Sequence, residues 1–140
     1  MFETIVNTKD NTFYHVDEQT LESVQKELGI FFPKELTAFY KQVGYGFIKS
    51  ENDNFNRLMD PKSICDFRLR TGQFSYDSEL STYDAYERDK LVFFEICEGT
   101  YLLIGFSKNN SGSIYYGDKK IANSLTEFLT KYQNDENYFY

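Results

Sequence analysis

The chain has 140 residues, of which 41% are hydrophobic and 26% charged, with 2 prolines and 8 glycines; these ordinary globular values exclude a disordered or collagen-like polymer. Its formal net charge is −7 and no basic tract offsets it, which excludes direct nucleic-acid binding through phosphate neutralisation. No apolar run approaches the ~18 residues of a membrane span, and the first ten residues, with Glu3 and Asp10, do not read as a signal peptide. A cytoplasmic protein that stays off the membrane is the expectation, as one domain over residues 1–140. Twelve Tyr and 14 Phe make 19% of the chain, more rings than a core of this size needs, so some belong at the surface.

In chain order, Asp17 is a good N-cap for a helix over 17–28, with Val16 and Leu21 as a hydrophobic staple and Leu21, Val24 and Leu28 on one face. Gly29 ends it. Pro33 opens a second helix whose buried stripe is Leu36, Phe39, Tyr40 and Val43, closed by Gly44. Gly46–Ile48 and Phe55–Met59 read as weak strands around a polar turn at Ser50–Asn56. Asp60-Pro61 starts a short helix over 61–69 with Ile64, Cys65 and Phe67 inward. Residues 71–90 show no clear period. Leu91–Cys97 and Tyr101–Phe106 form a hairpin across Glu98-Gly99-Thr100, and Ser113–Tyr116 adds a third strand. Ser124 and Glu127 frame a capping box for a last helix over 124–133 with Leu125, Phe128, Leu129 and Tyr132 inward. The predicted class is α+β: two N-terminal helices and a C-terminal helix packed on a mainly antiparallel sheet.

Catalytic apparatus is hard to find. His15 is the only histidine and has no nucleophile motif near it. No phosphate-binding glycine loop or hydrolase signature appears, and Gly44-Tyr45-Gly46 follows a helix rather than opening one. Cys65 and Cys97, 32 positions apart and outside any CxxC, predict two buried thiols, with a disulfide as the alternative, and neither a zinc nor a redox site. Glu51-Asn52-Asp53-Asn54 lacks calcium-loop spacing and reads as a solvated turn. No catalytic residue, metal or cofactor is assigned. A hydrolase working through paired carboxylates stays on the table only because 22 acids allow many pairings.

The charge is unevenly spread: residues 71–140 hold 11 acids against 6 bases, and residues 1–70 hold 11 against 9. Between 76 and 98 rings alternate with carboxylates. Tyr76, Asp77, Glu79, Tyr83, Asp84, Tyr86 and Glu87 are the candidate face for a basic protein partner, aromatic anchors amid charges of one sign. The bland alternative is an acidic face that only keeps the chain dispersed.

The run Leu28-Gly29-Ile30-Phe31-Phe32-Pro33 to Val43-Gly44-Tyr45-Gly46 resembles the N-terminal signature of the SUKH superfamily. Leu58–Ile64 is similar to that family's strand-to-helix step, Ile104-Gly105 to Tyr116 to its late hairpin, and Ser124–Leu129 to its closing helix. Tyr45 between the two glycines and the absence of Trp depart from the usual pattern. The resemblance implies a protein that acts by binding: a cytoplasmic immunity protein that neutralises a cognate polymorphic toxin, with a nuclease as the expected toxin activity. The alternative it implies is a regulatory or scaffold module on an endogenous partner, as in fungal relatives.

Overall fold

The computed structural model describes residues 2–49, 55–75, 77–97 and 99–140. Among them, α1 (Glu3–Asn7) and β1 (Thr12–Tyr14) precede α2 (Glu18–Leu28) and α3 (Lys34–Gln42). The strands β2 (Tyr45–Lys49) and β3 (Phe55–Leu58) lead to α4 (Pro61–Leu69) and three short 3₁₀ turns at Gly72–Phe74, Ser78–Tyr83 and Tyr86–Arg88. Then come β4 (Lys90–Ile96), β5 (Thr100–Gly105), β6 (Ile114–Tyr116), β7 (Lys119–Ala122) and α5 (Leu125–Asn134). The strands form one antiparallel sheet in sequence order, β1 to β7.

The predicted helices form where their caps are. The Asp17 carboxylate accepts from Gln19 N at 2.8 Å, and Gly29 ends α2 in the left-handed region at φ 67°. Asp60 accepts from Ser63 N, with Pro61 at the first turn of α4. At α5 the capping box is rearranged: Ser124 Oγ accepts from Glu127 N at 3.0 Å, while Glu127 reaches back to Asn123 N at 2.7 Å. A second carboxylate from another helix joins them. Glu35 of α3 accepts from Thr126 N at 3.3 Å and from Thr126 Oγ1 at 2.6 Å, and its other oxygen accepts from Leu125 N, so it serves the open N-H groups of α5.

Because side chains alternate along a strand, neighbouring rows across the sheet face opposite ways. One row, Phe13, Gly46, Leu58, Phe94 and Leu102, faces the helical layer. There Phe13 meets Phe39 of α3 at 5.9 Å, and Phe94 meets Phe128 and Tyr132 of α5 at 5.2 and 5.4 Å. Leu36 and Phe39 are fully buried, as are Leu125 and Phe128. Of the predicted core, Leu28 and Val43 are only half-buried: they stand at the C-terminal ends of α2 and α3 and pack against the core from there. Buried Tyr40 donates its hydroxyl to Met59 O, and burial pushes its pKa well up.

Three elements were not foreseen: α1, β1 and β7. β1 lies on β2 because Gly44 and Gly46 carry no side chain. A Cβ on Gly44 would stand 1.9 Å from Tyr14 O, and one on Gly46 would stand 2.0 Å from Thr12 O. The two glycines are therefore the seat of an edge strand, beyond ending a helix. The C-terminal residues dock as well: Phe139 is buried, Tyr138 donates to Ile121 O at 2.8 Å, and Lys119 donates to Phe139 O at 2.9 Å. The turn predicted over Ser50–Asn56 lies outside the described residues except for Phe55 and Asn56, which belong to β3; Glu98 of the later turn also lies outside them.

Candidate partner-binding surface

The 3₁₀ segment over 72–88 is fastened by two arginines of α4. Arg70, in a left-handed conformation at φ 55°, lies 4.7 Å over the Phe67 ring. Its guanidinium donates to Leu80 O at 3.1 Å, Asp84 at 2.7 Å and Glu87 at 2.6 Å. Arg68 donates to Glu87 O at 2.8 Å and Lys90 O at 3.2 Å. Burial lowers the Arg68 pKa. Burial also works against charge on Arg70, yet Glu87 and Asp84 outweigh it and raise the value. At Glu87 the balance is reversed: burial raises its carboxyl pKa in spite of Arg70. The difference follows from position, since Glu87 is much the more deeply buried of the two side chains.

This arrangement sorts the predicted contact residues. Asp77 and Glu79 are exposed at the start of the second 3₁₀ turn, where Asp77 accepts from Glu79 N at 3.0 Å. Asp84 is exposed and shared with Arg70. Tyr86 is half-buried, with its ring beside Gly117. Tyr83 is half-buried too: it packs on Phe67 and Tyr101 at 5.7 Å each, and its hydroxyl accepts from Tyr101 N at 3.1 Å. Burial raises the Tyr83 pKa. Glu87 is buried, so it anchors the segment from beneath and offers no contact surface. Tyr76 lies outside the described residues. A cavity of about 360 Å³ opens beside the exposed acids, lined by Arg70, Phe74, Ser75, Asp77, Ser78, Ser81 and Asp84.

Four of the six described acids over 77–97 are thus paired within the fold. Asp84 and Glu87 meet Arg70, Asp89 meets Lys90 at 2.8 Å, and Glu95 meets Arg57 at 3.3 Å. Phe74 and Leu80 are core residues, so the irregular stretch contributes more to the interior than its sequence suggested.

Four rings on β1–β3 and the strand end before them form a surface that sequence reasoning missed. Tyr14 and Tyr45 lie 5.5 Å apart, Tyr14 and Phe47 6.5 Å, and Phe47 and Phe55 6.5 Å. Tyr14 is 48% exposed and Phe55 57%, and Tyr45 and Phe47 are half-buried. The signal was available: Tyr45, Phe47 and Lys49 alternate with Gly46 and Ile48, so one face of β2 carries rings away from the helical layer.

His15 is exposed. Cys65 is buried, with its pKa pushed up to about 11 by burial and by Glu27. Cys97 is exposed, which corrects the expectation of two buried thiols: it sits at φ 41° in the turn after β4, one residue past the strand. Among the described residues no cluster of three or more His, Cys, Asp or Glu could hold a metal ion, and no helix is long and apolar enough to cross a membrane.

An all-antiparallel sheet in sequence order, with N-terminal helices and a closing helix, defines an α+β fold. The model of the SMI1 / KNR4 family (SUKH-1) matches residues 15–131, and the chain belongs to that family. It is also similar to the Immunity protein YxxD of Bacillus subtilis (strain 168), with 45% identity over 135 residues that cover 96% of this chain and 92% of that protein. Family membership supports a protein that binds and is not an enzyme.

Proposed function

We propose that this chain is an immunity protein that binds a cognate polymorphic toxin domain in the cytoplasm and neutralises it. The observation that carries the reading is the 45% identity to an immunity protein across nearly the full length of both chains. A net charge of −7 supports a basic partner, because long-range attraction speeds encounter with a positive cleft. Nucleases have such clefts for their phosphate-rich substrates, so a nuclease is the toxin activity we propose. Asp77, Glu79, Asp84, Tyr83 and Tyr86 make up the acidic part of the binding face, with Tyr76 beside them in sequence and Glu87 holding the segment from below.

The test is co-expression with the toxin domain encoded beside this gene. Cells should survive and the two chains should co-purify. Death of the cells despite soluble, folded protein would remove the immunity reading. A toxin domain that is neutralised but cleaves no nucleic acid would remove the nuclease assignment alone. Asp77→Asn with Glu79→Gln should slow association several-fold at low salt and leave dissociation nearly unchanged, as for rim charges; unchanged association would remove these acids from the face.

A further inference from the structure

We infer that the open half of the sheet, the ring ladder Tyr14, Tyr45, Phe47 and Phe55, is the apolar centre of the toxin-docking surface, and that it receives Arg or Lys side chains of a basic toxin element. This rests on the immunity reading above and adds to it the place and chemistry of the contact.

The geometry begins with one row across the sheet. Thr12, Phe47, Arg57, Glu95 and Tyr101 are register partners on five successive strands and share the face that points away from α3 and α5. At the Tyr101 end this face is roofed: Phe67 of α4 lies 4.8 Å from the Tyr101 ring, and Phe74 and Tyr83 lie 6.1 and 5.7 Å from it. At the Thr12 end, Tyr45 packs against the core from its half-buried position, and among the described residues the ring contacts of Tyr14, Phe47 and Phe55 stay within the ladder. The sheet therefore runs from a covered half into an open one, and the acidic 3₁₀ segment is part of the roof. Four contiguous rings, two of them about half exposed or more, exceed the scattered surface hydrophobics of an ordinary monomer.

Charge selects the occupant. The described residues around the ladder, 10–18, 45–49 and 55–60, hold four acids against two bases, in a chain whose whole charge is −7. The two bases are already engaged: Lys49 lies 3.8 Å from Asp10, and Arg57 lies 3.3 Å from Glu95. An incoming cation thus meets ring faces, to which guanidinium and ammonium groups are drawn, on a chain of net charge −7. A second copy of this chain would bring its own net charge of −7, which disfavours self-association through this face.

The experiment titrates the wild-type chain and four variants with the toxin domain encoded beside the gene, following association and dissociation rates. Tyr14 and Phe55 are exposed, so Tyr14→Ser and Phe55→Ser should keep the wild-type melting temperature. Each should weaken the complex at least tenfold, mainly through faster dissociation. Tyr14→Arg should weaken it more than Tyr14→Ser, because it sets a like charge against the basic element. Phe31→Ser, at a ring that is 90% exposed outside the ladder, should stay within twofold. Raising salt from 0.1 to 0.5 M should weaken the wild-type complex. Wild-type binding with Tyr14→Ser and Phe55→Ser both within twofold would overturn the docking surface and leave the immunity reading intact. Binding indifferent to salt and to Tyr14→Arg would overturn the basic partner. A wild-type chain that sediments as a dimer dissolved by the serine variants would assign the face to a second copy. Failure of the wild-type chain to bind would remove both readings together.

Discussion

Gly46→Ala is a stringent test of how the edge of the sheet is built. The residue has ordinary strand geometry, so the substitution adds no backbone strain and everything rests on one close approach. The new Cβ would lie 2.0 Å from Thr12 O, 2.8 Å from Phe13 Cα and 3.0 Å from Thr12 C, all backbone atoms that no rotamer change can clear. Ordinary contact begins at 3.4 Å, so β1 must retreat by about 1.4 Å. Overpacking of this kind costs about 1–3 kcal/mol. A retreat that far also loosens the β1–β2 ladder, at about 1 kcal/mol per hydrogen bond, and draws Phe13 from Phe39. Together we expect about 2–5 kcal/mol, or a fall in Tm of roughly 6–12 °C if about 3 kcal/mol is lost in a chain of this size. If β1 instead peels away, the loss of global stability is smaller, and the amides of Thr12–Tyr14 lose hydrogen-exchange protection. Denaturant unfolding with exchange on the same samples separates the two. A Tm within 1 °C of wild type with those amides still protected would refute the close-approach argument. Gly29→Ala is the control: nothing lies within 4 Å of its Cβ, so only its φ of 67° counts, at about 1 kcal/mol.

Leu36→Ala, at a side chain with 0% exposure, should cost about 2–5 kcal/mol in urea unfolding; a loss below 1 kcal/mol would contradict its place in the core. Tyr83→Phe should cost about 1–3 kcal/mol, because the Tyr101 N-H loses its acceptor, and should leave toxin affinity within twofold; a large affinity loss at normal stability would place the hydroxyl in the interface. Glu87 sets a pH signature. Its folded pKa lies above the ordinary 4.5 because burial outweighs Arg70, so its contribution to stability is full below about pH 4.5 and lost as pH rises through the folded value. The stability of Glu87→Gln relative to wild type should therefore improve from pH 4 to pH 7, and a difference that is flat or falls with pH would refute the burial argument.

What was legible in the sequence follows from where its signals are local. Asp17, Pro33, Asp60 and Ser124 mark helix starts that form where they stand, because a cap acts within one turn. The β4–β5 hairpin was legible for the same reason, since its apolar strands flank a three-residue turn. β1 was not: Thr12–Tyr14 is too short to show a period, and its partner lies some 33 residues on. The only trace of it is the pair Gly44 and Gly46, whose meaning needs the third dimension. The candidate face was half legible. Composition located the acids of 77–87, and nothing local told Asp77, which faces solvent, from Glu87, which turns under to Arg70 seventeen residues back. The ladder was missed because its four rings come from three strands, and density along the chain is a poor guide to density on a sheet.

The alternation of strand residues also separates stability from recognition. Gly46, Leu58 and Phe94 point to the helices, and Phe47, Arg57 and Glu95, their immediate neighbours, point the other way. A change at Phe47, Phe55 or Tyr14 alters the open face while the row beneath keeps its packing, so contact residues can follow a changing partner at little cost to the fold. The separation holds only while the register holds, because a slip by one residue would exchange the two rows. At this edge the register is fixed by close backbone approach at Gly44 and Gly46 and, across β2–β3, by buried Asn56, which donates to Ile48 O at 3.4 Å and accepts from Cys97 N at 3.3 Å. Those three residues carry no part of the exposed surface, yet they decide which rings a partner meets.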